Sequence, residues 1–374
     1  MKIGLNLLYL LPGVAGGTET YARSLLQALA RLDNQNCYWL FINRETSRFE
    51  LFDEQEWNTI VCQVPAKLRP LRYAWEQLVL PFQVKRLGLD LVHSLGYVQP
   101  LHLPCKSIVT IHDLNFLNIG HMMPLSRRLA LRFFVTKSAK VADHIITVSE
   151  FSKKQIVDVL QVPPEKVTVI YNAVKKIAER PSDLNELAKK YRIVQPYILG
   201  LSSQSPHKNI AGLIKAFELL KSKGYRDLKL VLAGHLPVHA SELKQVIMRS
   251  RFRNDIFFTG YVPDRVLAGL YTYAEVFVFP SLYEGFGIPI LEAFLYGAPV
   301  ACSRVAALPE IAGDAAIYFD PNNIEDMANV LDYLLTHEDD RKMLITRGKE
   351  RVALFTWEKA ARKTLDVYKR VLGE

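Results

Sequence analysis

The chain has 374 residues, of which 49% are hydrophobic and 23% charged, with four cysteines and a formal net charge of +9. That length exceeds one ordinary core and points to two domains of about 150–200 residues each. No stretch approaches the roughly 18 apolar residues needed to span a bilayer, and no zinc finger, helix-turn-helix or aromatic RNA-binding motif accompanies the positive charge. Nucleic acid is therefore set aside, and anionic substrates or an anionic membrane surface remain as partners. Cys37, Cys62, Cys105 and Cys302 are scattered without metal-ligand spacing and read as reduced, structural thiols of a cytosolic protein. The opening MKIGLNLLYLLPG is short and lacks an A-x-A-like cleavage site, so it reads as a strand and not as a signal peptide.

Strands and helices alternate along the chain, the pattern of parallel sheets with crossover helices. The first strand, Lys2–Leu7, runs into Gly16-Gly17 and a helix over Thr18–Leu32. A glycine pair there lets a ligand approach the backbone and leaves the helix N–H groups free for phosphate. Strands follow at Cys37–Ile42, Leu91–His93 and Ser107–Ile111. His112-Asp113 ends the last of these, where an α/β protein points side chains into its ligand crevice. A helix over Pro124–Ala142 carries Arg127, Arg128, Arg132, Lys137 and Lys140 among large apolar residues, and Lys67–Arg72 has the same mixture. A solvated face is the plain reading of both; contact with an anionic membrane or a lipid diphosphate is the functional one. After the strand His144–Val148, Ser149 caps a helix with Ser152 at its third position, and Val167–Ile170 is a short strand before the polar, proline-containing linker 175–183.

The second half opens with a strand at Tyr197–Leu201, followed by Ser202, Ser203 and the segment Ser205-Pro206-His207-Lys208-Asn209 at the start of a helix over Asn209–Lys221. A lysine at a helix N-terminus in a crevice is suited to neutralise a phosphate. Further strands are expected at Lys229–Ala233, Ile256–Phe258, Val276–Phe279, Val300–Cys302 and Ile317–Phe319, with a helix at Ser241–Arg249. The most informative stretch is residues 280–299, PSLYEGFGIPILEAFLYGAP. It reads as strand end, glycine-hinged loop and helix, with Glu284 at the strand end and Glu292 near the helix middle. The amides of Gly285, Phe286, Gly287 and Ile288 are placed to receive phosphate, and the two carboxylates to accept hydrogen bonds from sugar or ribose hydroxyls. Neither glycine cluster, Gly13–Gly17 nor Gly285–Gly287, completes G-x-G-x-x-G after a strand, which removes the main support for a dinucleotide-binding dehydrogenase.

The Glu284–Glu292 spacing with its flanks resembles the E-x7-E signature of retaining glycosyltransferases, and its wording is close to glycosyltransferase family 4. Leu308-Pro309-Glu310-Ile311-Ala312-Gly313-Asp314-Ala315-Ala316 resembles a second stretch of that family. The resemblance implies an α/β, GT-B fold: two Rossmann-like domains facing a cleft, with the C-terminal helix crossing back to the first. The domains are then 1–174, plus the returning helix 357–374, and 175–356. Ala360, Ala361, Leu365, Tyr368 and Leu372 form the expected apolar face of that helix.

The same resemblance implies a nucleotide-sugar donor held mainly by the second domain, and a glycan or lipid-diphosphate-linked acceptor held by the first. Catalytic roles fall to Glu284, His112 and Lys208. Donor contacts fall to Gly16, Gly17, Ser202, Ser203, Lys208, Gly285, Phe286, Gly287, Ile288 and Glu292. His112 is expected to touch the transferred sugar with Asp113 supporting it, Glu284 to bind the sugar hydroxyls and Glu292 the ribose. Neither cofactor nor metal is expected. An arginine that the family often places about six residues before Lys208 is replaced by Ser202; His207 or Arg304 is the expected compensation. GDP-mannose is the first-choice donor, ahead of UDP-glucose and dTDP-rhamnose, with the enzyme cytoplasmic and at most peripheral on the inner membrane. Two alternatives are a UDP-sugar epimerase of the same fold and a non-catalytic sugar-nucleotide-binding subunit.

Overall fold

Strands such as Val276–Phe279 and His144–Thr147 are buried along their whole length, and continuous apolar strands of this kind pair in parallel beneath covering helices. In the computed structural model, which describes residues 1–13, 16–48, 57–175, 177, 179–203, 205–234 and 241–374, they assemble into two all-parallel sheets. The chain divides into one unit of Met1–Ala173 with Thr356–Glu374 and a second of Val174–Phe355.

The first unit contains β1 (Lys2–Asn6), α1 (Gly17–Leu32), β2 (Cys37–Ile42), β3 (Asn58–Val61), α2 (Arg69–Leu78), α3 (Leu80–Leu87), β4 (Leu91–Ser94), β5 (Lys106–Thr110), α4 (Asn115–Asn118), α5 (Leu125–Val141), β6 (His144–Thr147), α6 (Glu150–Leu160) and β7 (Val167–Val169). Its strand order is β3-β2-β1-β4-β5-β6-β7. The second contains α7 (Leu184–Tyr191), β8 (Tyr197–Leu201), α8 (Ile210–Ser222), β9 (Lys229–Ala233), α9 (Ser241–Arg249), β10 (Ile256–Phe258), α10 (Asp264–Thr272), β11 (Val276–Phe279), α11 (Ile288–Leu295), β12 (Val300–Ser303), α12 (Leu308–Ala312), β13 (Ala316–Phe319), α13 (Ile324–Thr336) and α14 (Glu338–Val352). Its order is β10-β9-β8-β11-β12-β13. In each sheet the strand sequence reverses direction at one place, between β1 and β4 in the first and between β8 and β11 in the second. Open parallel sheets bind ligands outside the carboxyl ends of the strands at such a reversal.

The final helix, α15 (Trp357–Leu372), belongs to the first unit and packs on α1. Its buried face is Trp357, Ala360, Ala361, Thr364, Val367 and Tyr368, while Leu365 and Leu372 are only half-buried. The stripe is rotated from the expected one because Thr364 donates its hydroxyl proton to the Ala360 carbonyl, four residues back. That satisfied hydroxyl can be buried like a small apolar group. Tyr368 is drawn inward by His93, whose Nδ1 lies 2.7 Å from its hydroxyl. The strand β3 carries no sequence signal: its pattern is almost wholly exposed, as an edge strand allows. In the linker 175–183, residues 176 and 178 lie outside the described residues.

The helix that carries Glu292 is fixed from behind by α14. Gly348 lets the ring of Phe294 press against the α14 backbone; a Cβ there would stand 2.7 Å from Phe294 Cδ1. Phe294 is almost fully buried and has no room to turn away. Gly348→Ala is therefore expected to lower stability by about 1–3 kcal/mol, against the gain that removing a helical glycine gives on an open surface. An unchanged urea midpoint would show that α11 and α14 are not packed this tightly.

Candidate functional site

The second unit gathers its polar residues at the β8/β11 reversal. β8 ends at Leu201, and the buried Ser202 continues the ladder through its amide, which donates to the Ala233 carbonyl at 2.7 Å. Ser203 Oγ accepts from the Ser205 amide at 3.1 Å. A single 3₁₀ turn, Pro206–Lys208, then leads to Asn209 in the left-handed region and on into α8. The short turn returns Lys208 over the end of the neighbouring strand, β11. Its Nζ lies 2.5 Å from Glu284 Oε1 and 5.1 Å from the centre of the Phe279 ring. The His207 carbonyl accepts from the Leu282 amide at 2.8 Å and ties the two loops together.

Beyond Glu284 the loop is buried at Gly285, Phe286 and Gly287. Gly287 has φ 107°, and a side chain there would also meet Leu308 Cδ2 at 2.9 Å, so only glycine fits. It caps α11 with no side-chain hydrogen bond, and Pro289 occupies the first turn. The amide of Ile288 therefore opens a helix whose N-terminal end no capping side chain neutralises, an arrangement suited to an anion.

Glu292 sits one turn further along α11 and accepts a hydrogen bond from the Tyr271 hydroxyl at 3.0 Å. Burial pushes its carboxyl up to about 7, although the Tyr271 bond acts in the opposite direction. Tyr271 comes from α10, is fully buried, and stacks near-parallel with Tyr296. Sequence reading missed this tyrosine because an aromatic in an apolar helix carries no signal of its own; only the fold aims its hydroxyl at the carboxylate.

In the first unit the loop after β1 carries Gly16, φ 55°, which caps α1 without a side chain and faces open space. Gly17 opens that helix. Glu19 turns back to accept from the Gly13 amide at 2.8 Å and pairs with Arg23 at 2.9 Å, which orders the entry to the loop; residues 14 and 15 lie outside the described residues. His112 stands just past β5 and is buried. Its Nε2 donates to the Leu95 carbonyl at 3.1 Å, since a carbonyl can only accept. Burial pulls this imidazole down to about 4, so it is neutral at pH 7 with Nδ1 as its open acceptor. Tyr21 and Tyr97 pack their rings on it at 4.8 and 5.3 Å. Support from Asp113 runs through Tyr97: Asp113 Oδ1 accepts from the Tyr97 hydroxyl at 3.0 Å and from the Asn115 amide at 3.1 Å. Ser149 caps α6 by accepting from Ser152 N at 3.0 Å, and Ser152 Oγ donates to the His112 carbonyl.

Two candidates were expected to replace the arginine absent at Ser202. The imidazole of His207 is lowered by burial and by the adjacent Lys208, against the pull of Glu284, and so supplies no positive charge at neutral pH. Arg304 lies exposed just past β12, the strand next to β11.

Residues 184–351 match the model of glycosyl transferases group 1, and residues 15–176 match that of glycosyltransferase family 4. The chain is 32% identical to O-antigen chain mannosyltransferase B of Escherichia coli, over 81% of this chain and 78% of that protein. The chain belongs to glycosyltransferase family 4. It is also 30% identical to the serotype-specific mannosyltransferase WbdA of E. coli over 72% of this chain, which spans 34% of that longer protein. In fold it resembles sucrose-phosphate synthase from Thermosynechococcus elongatus, with a TM-score of 0.81, 20% identity and coverage of 100% and 99% of the two chains. The expected GT-B class is thereby found in this glycosyltransferase.

The raised carboxyl of Glu292 has a consequence for stability that needs no ligand. A carboxyl whose folded value is raised binds an extra proton in the folded state between the unfolded value of 4.5 and about 7. Its favourable contribution is present below 4.5 and is lost as the pH rises through 7. Glu292→Gln keeps an acceptor for Tyr271 and removes the titration. The melting temperature of the variant, relative to wild type, is therefore expected to climb between about pH 4.5 and pH 7 and then level off. A difference independent of pH would contradict the buried, protonatable state.

Proposed function

We propose that this glycosyltransferase is a retaining, metal-independent enzyme of polysaccharide assembly. It would transfer one sugar from a nucleotide-sugar donor, GDP-mannose first, to a hydroxyl of a glycan or lipid-diphosphate-linked acceptor. The observation that carries this reading is the Lys208–Glu284 pair at 2.5 Å beside the uncapped start of α11. An ammonium and a row of amides suit a departing diphosphate, and a neighbouring carboxylate suits the hydroxyls of the sugar attached to it. The choice of mannose is supported by the mannosyltransferases to which the chain is similar.

In this reading Lys208, the amides of Gly285, Phe286, Gly287 and Ile288, and the loop at Gly16 and Gly17 stabilise charge that grows on the diphosphate as its bond to the sugar carbon breaks. Arg304 is the cation we assign to the place of the missing arginine. Ser202 and Ser203 line the donor loop. Glu284 holds the sugar, Glu292 the ribose, and the neutral His112 accepts from a sugar hydroxyl through Nδ1. The acceptor oxygen attacks the same face of the carbon that the leaving group departs, and its proton passes to a phosphate oxygen of the leaving group. No resident cofactor takes part, and the acceptor and donor would be met on the cytoplasmic side of the membrane.

The test is a thermal-shift panel of GDP-, UDP- and dTDP-sugars in EDTA, followed by transfer assays with the stabilising donor. GDP-mannose is expected to raise the melting temperature of wild type, as a ligand binding only the folded state must, and Lys208→Ala to weaken that effect. Glu284→Ala should keep donor binding and lower transfer by about 10²–10³-fold. Stabilisation by a UDP- or dTDP-sugar alone would replace the donor. Donor binding with neither transfer nor hydrolysis would favour a non-catalytic subunit, and activity lost in EDTA would overturn the metal-free mechanism.

A further inference from the structure

The exit of β4 grips the His112–Asp113 pair at two points. Leu95 offers its carbonyl to His112 Nε2 at 3.1 Å, and two residues later Tyr97 donates its hydroxyl proton to Asp113 Oδ1 at 3.0 Å. Between them the chain turns within three residues. The Val98 amide donates to the Gly96 carbonyl at 2.7 Å, and Tyr97 at the centre has φ 64°. Such a turn with a positive central φ is rare, and a tyrosine at its apex is strained where glycine would not be. The turn is fixed on both sides. The Tyr97 amide donates to the Thr110 carbonyl of β5 at 2.8 Å. The Tyr9 ring lies behind Gly96, where a Cβ would stand 2.3 Å from Tyr9 Cδ1, and the Tyr9 hydroxyl donates to the Thr18 carbonyl at 3.2 Å. A residue kept in a costly conformation by its surroundings, beside a ligand crevice, points to a function for its side chain.

What that side chain does follows from the groups around His112. Tyr21 of α1 and Tyr97 pack on the ring, and His93 of β4 is close enough for the two imidazoles to oppose each other's charge. Glu150 is exposed at the start of α6, whose Ser152 donates to the His112 carbonyl. Burial holds the Tyr21 hydroxyl above its ordinary range and the His93 imidazole down at about 3, so neither carries charge at neutral pH. Asp113 is the carboxylate next in the chain. A carboxylate brought against an imidazole favours the charged ring. The ring would then carry a proton on both nitrogens, and Nδ1 would no longer accept. The Tyr97 hydroxyl, with the Asn115 amide at 3.1 Å, gives Asp113 Oδ1 partners of its own.

We infer that Tyr97 is a positioning residue for the transfer reaction: its hydroxyl holds the Asp113 carboxylate away from the imidazole, so that His112 presents Nδ1 as an uncharged acceptor. The left-handed turn at the end of β4 sets the hydroxyl on Asp113 while the ring packs on His112. The inference rests on the proposed function for the partner of Nδ1, a sugar hydroxyl. The state of the ring itself is measured without any donor.

The experiment is histidine-selective nitrogen NMR of the full chain across the acid to neutral range, with the His112 signal assigned by its loss in His112→Gln. Wild type is expected to titrate at about 4 and to carry its single proton on Nε2 above that. Tyr97→Phe keeps the ring and removes the hydroxyl. It should raise the His112 midpoint by about one pH unit or more, and Asp113→Asn in that background should bring the midpoint back to the wild-type value. Tyr97→Gly, which suits the turn, also removes the hydroxyl and should give the same rise; it should melt above Tyr97→Ala, because glycine adopts a positive φ without strain. With the donor that stabilises wild type, the acid limb of kcat should move up in Tyr97→Phe by as much as the midpoint does. An unmoved midpoint, a rise that Asp113→Asn does not reverse, or Tyr97→Ala melting above Tyr97→Gly would overturn the proposal. So would a kcat profile that stays in place while the midpoint moves, since the state of the ring would then not bear on transfer. Where no donor binds, the proposed function fails, and the NMR arms still decide what Tyr97 does to His112.

Discussion

The parallel pairing of β8 with β11 is the constraint on which the candidate site depends. Val276–Val278 lie in register with Ile198–Gly200, although 76 residues separate Lys208 from Glu284. Every other neighbour in that sheet follows from this one, because the strands before β11 are laid down on one side of β8 and those after it on the other. At the reversal two loops must part in opposite directions, and the opening between them is where the lysine and the glutamate face each other. Moving either strand by one place in the sheet would leave two separate surface charges, worth little in water.

Burial then sorts the groups by charge. Glu292 and His112 are both pushed toward their neutral forms by desolvation, whereas Lys208 and Glu284, partly exposed at 22% and 14%, meet as an ion pair. A pair of this kind is easily exchanged for a ligand that offers each partner a replacement: an anion for the ammonium, hydroxyl donors for the carboxylate. The neutral groups hold no ion pair to exchange, and their orientation is already fixed by Tyr271 and by the Leu95 carbonyl.

The first unit is held by a different kind of interaction. His93 lies between the Tyr368 hydroxyl and Thr110 Oγ1 at 2.7 and 2.8 Å, and Tyr21 reaches the same Thr110 at 3.1 Å. This buried chain joins α15, β4, β5 and α1. Burial drives His93 down to about 3, so the network stays neutral and loses little to desolvation. Charge is kept for the surface, where α2 and α5 concentrate it.

The sequence by itself determined the fold class, because apolar β-branched runs alternating with amphipathic stretches leave few architectures open. It also placed Gly287 and Glu292 on hinge and helix, since spacing and glycine–proline chemistry are local; Glu284, expected at the strand end, lies in the loop beyond β11 instead. β3 escaped notice because an exposed edge strand needs no apolar pattern. The buried face of α15 was misjudged because a threonine that bonds its own helix hides its polarity. Tyr271 behind Glu292, Tyr97 between Asp113 and His112, and the meeting of Lys208 with Glu284 were decided by tertiary structure alone. Each joins residues distant in the chain, and the neutral state of His207 depends on how far the fold withdraws it from water, which no spacing records.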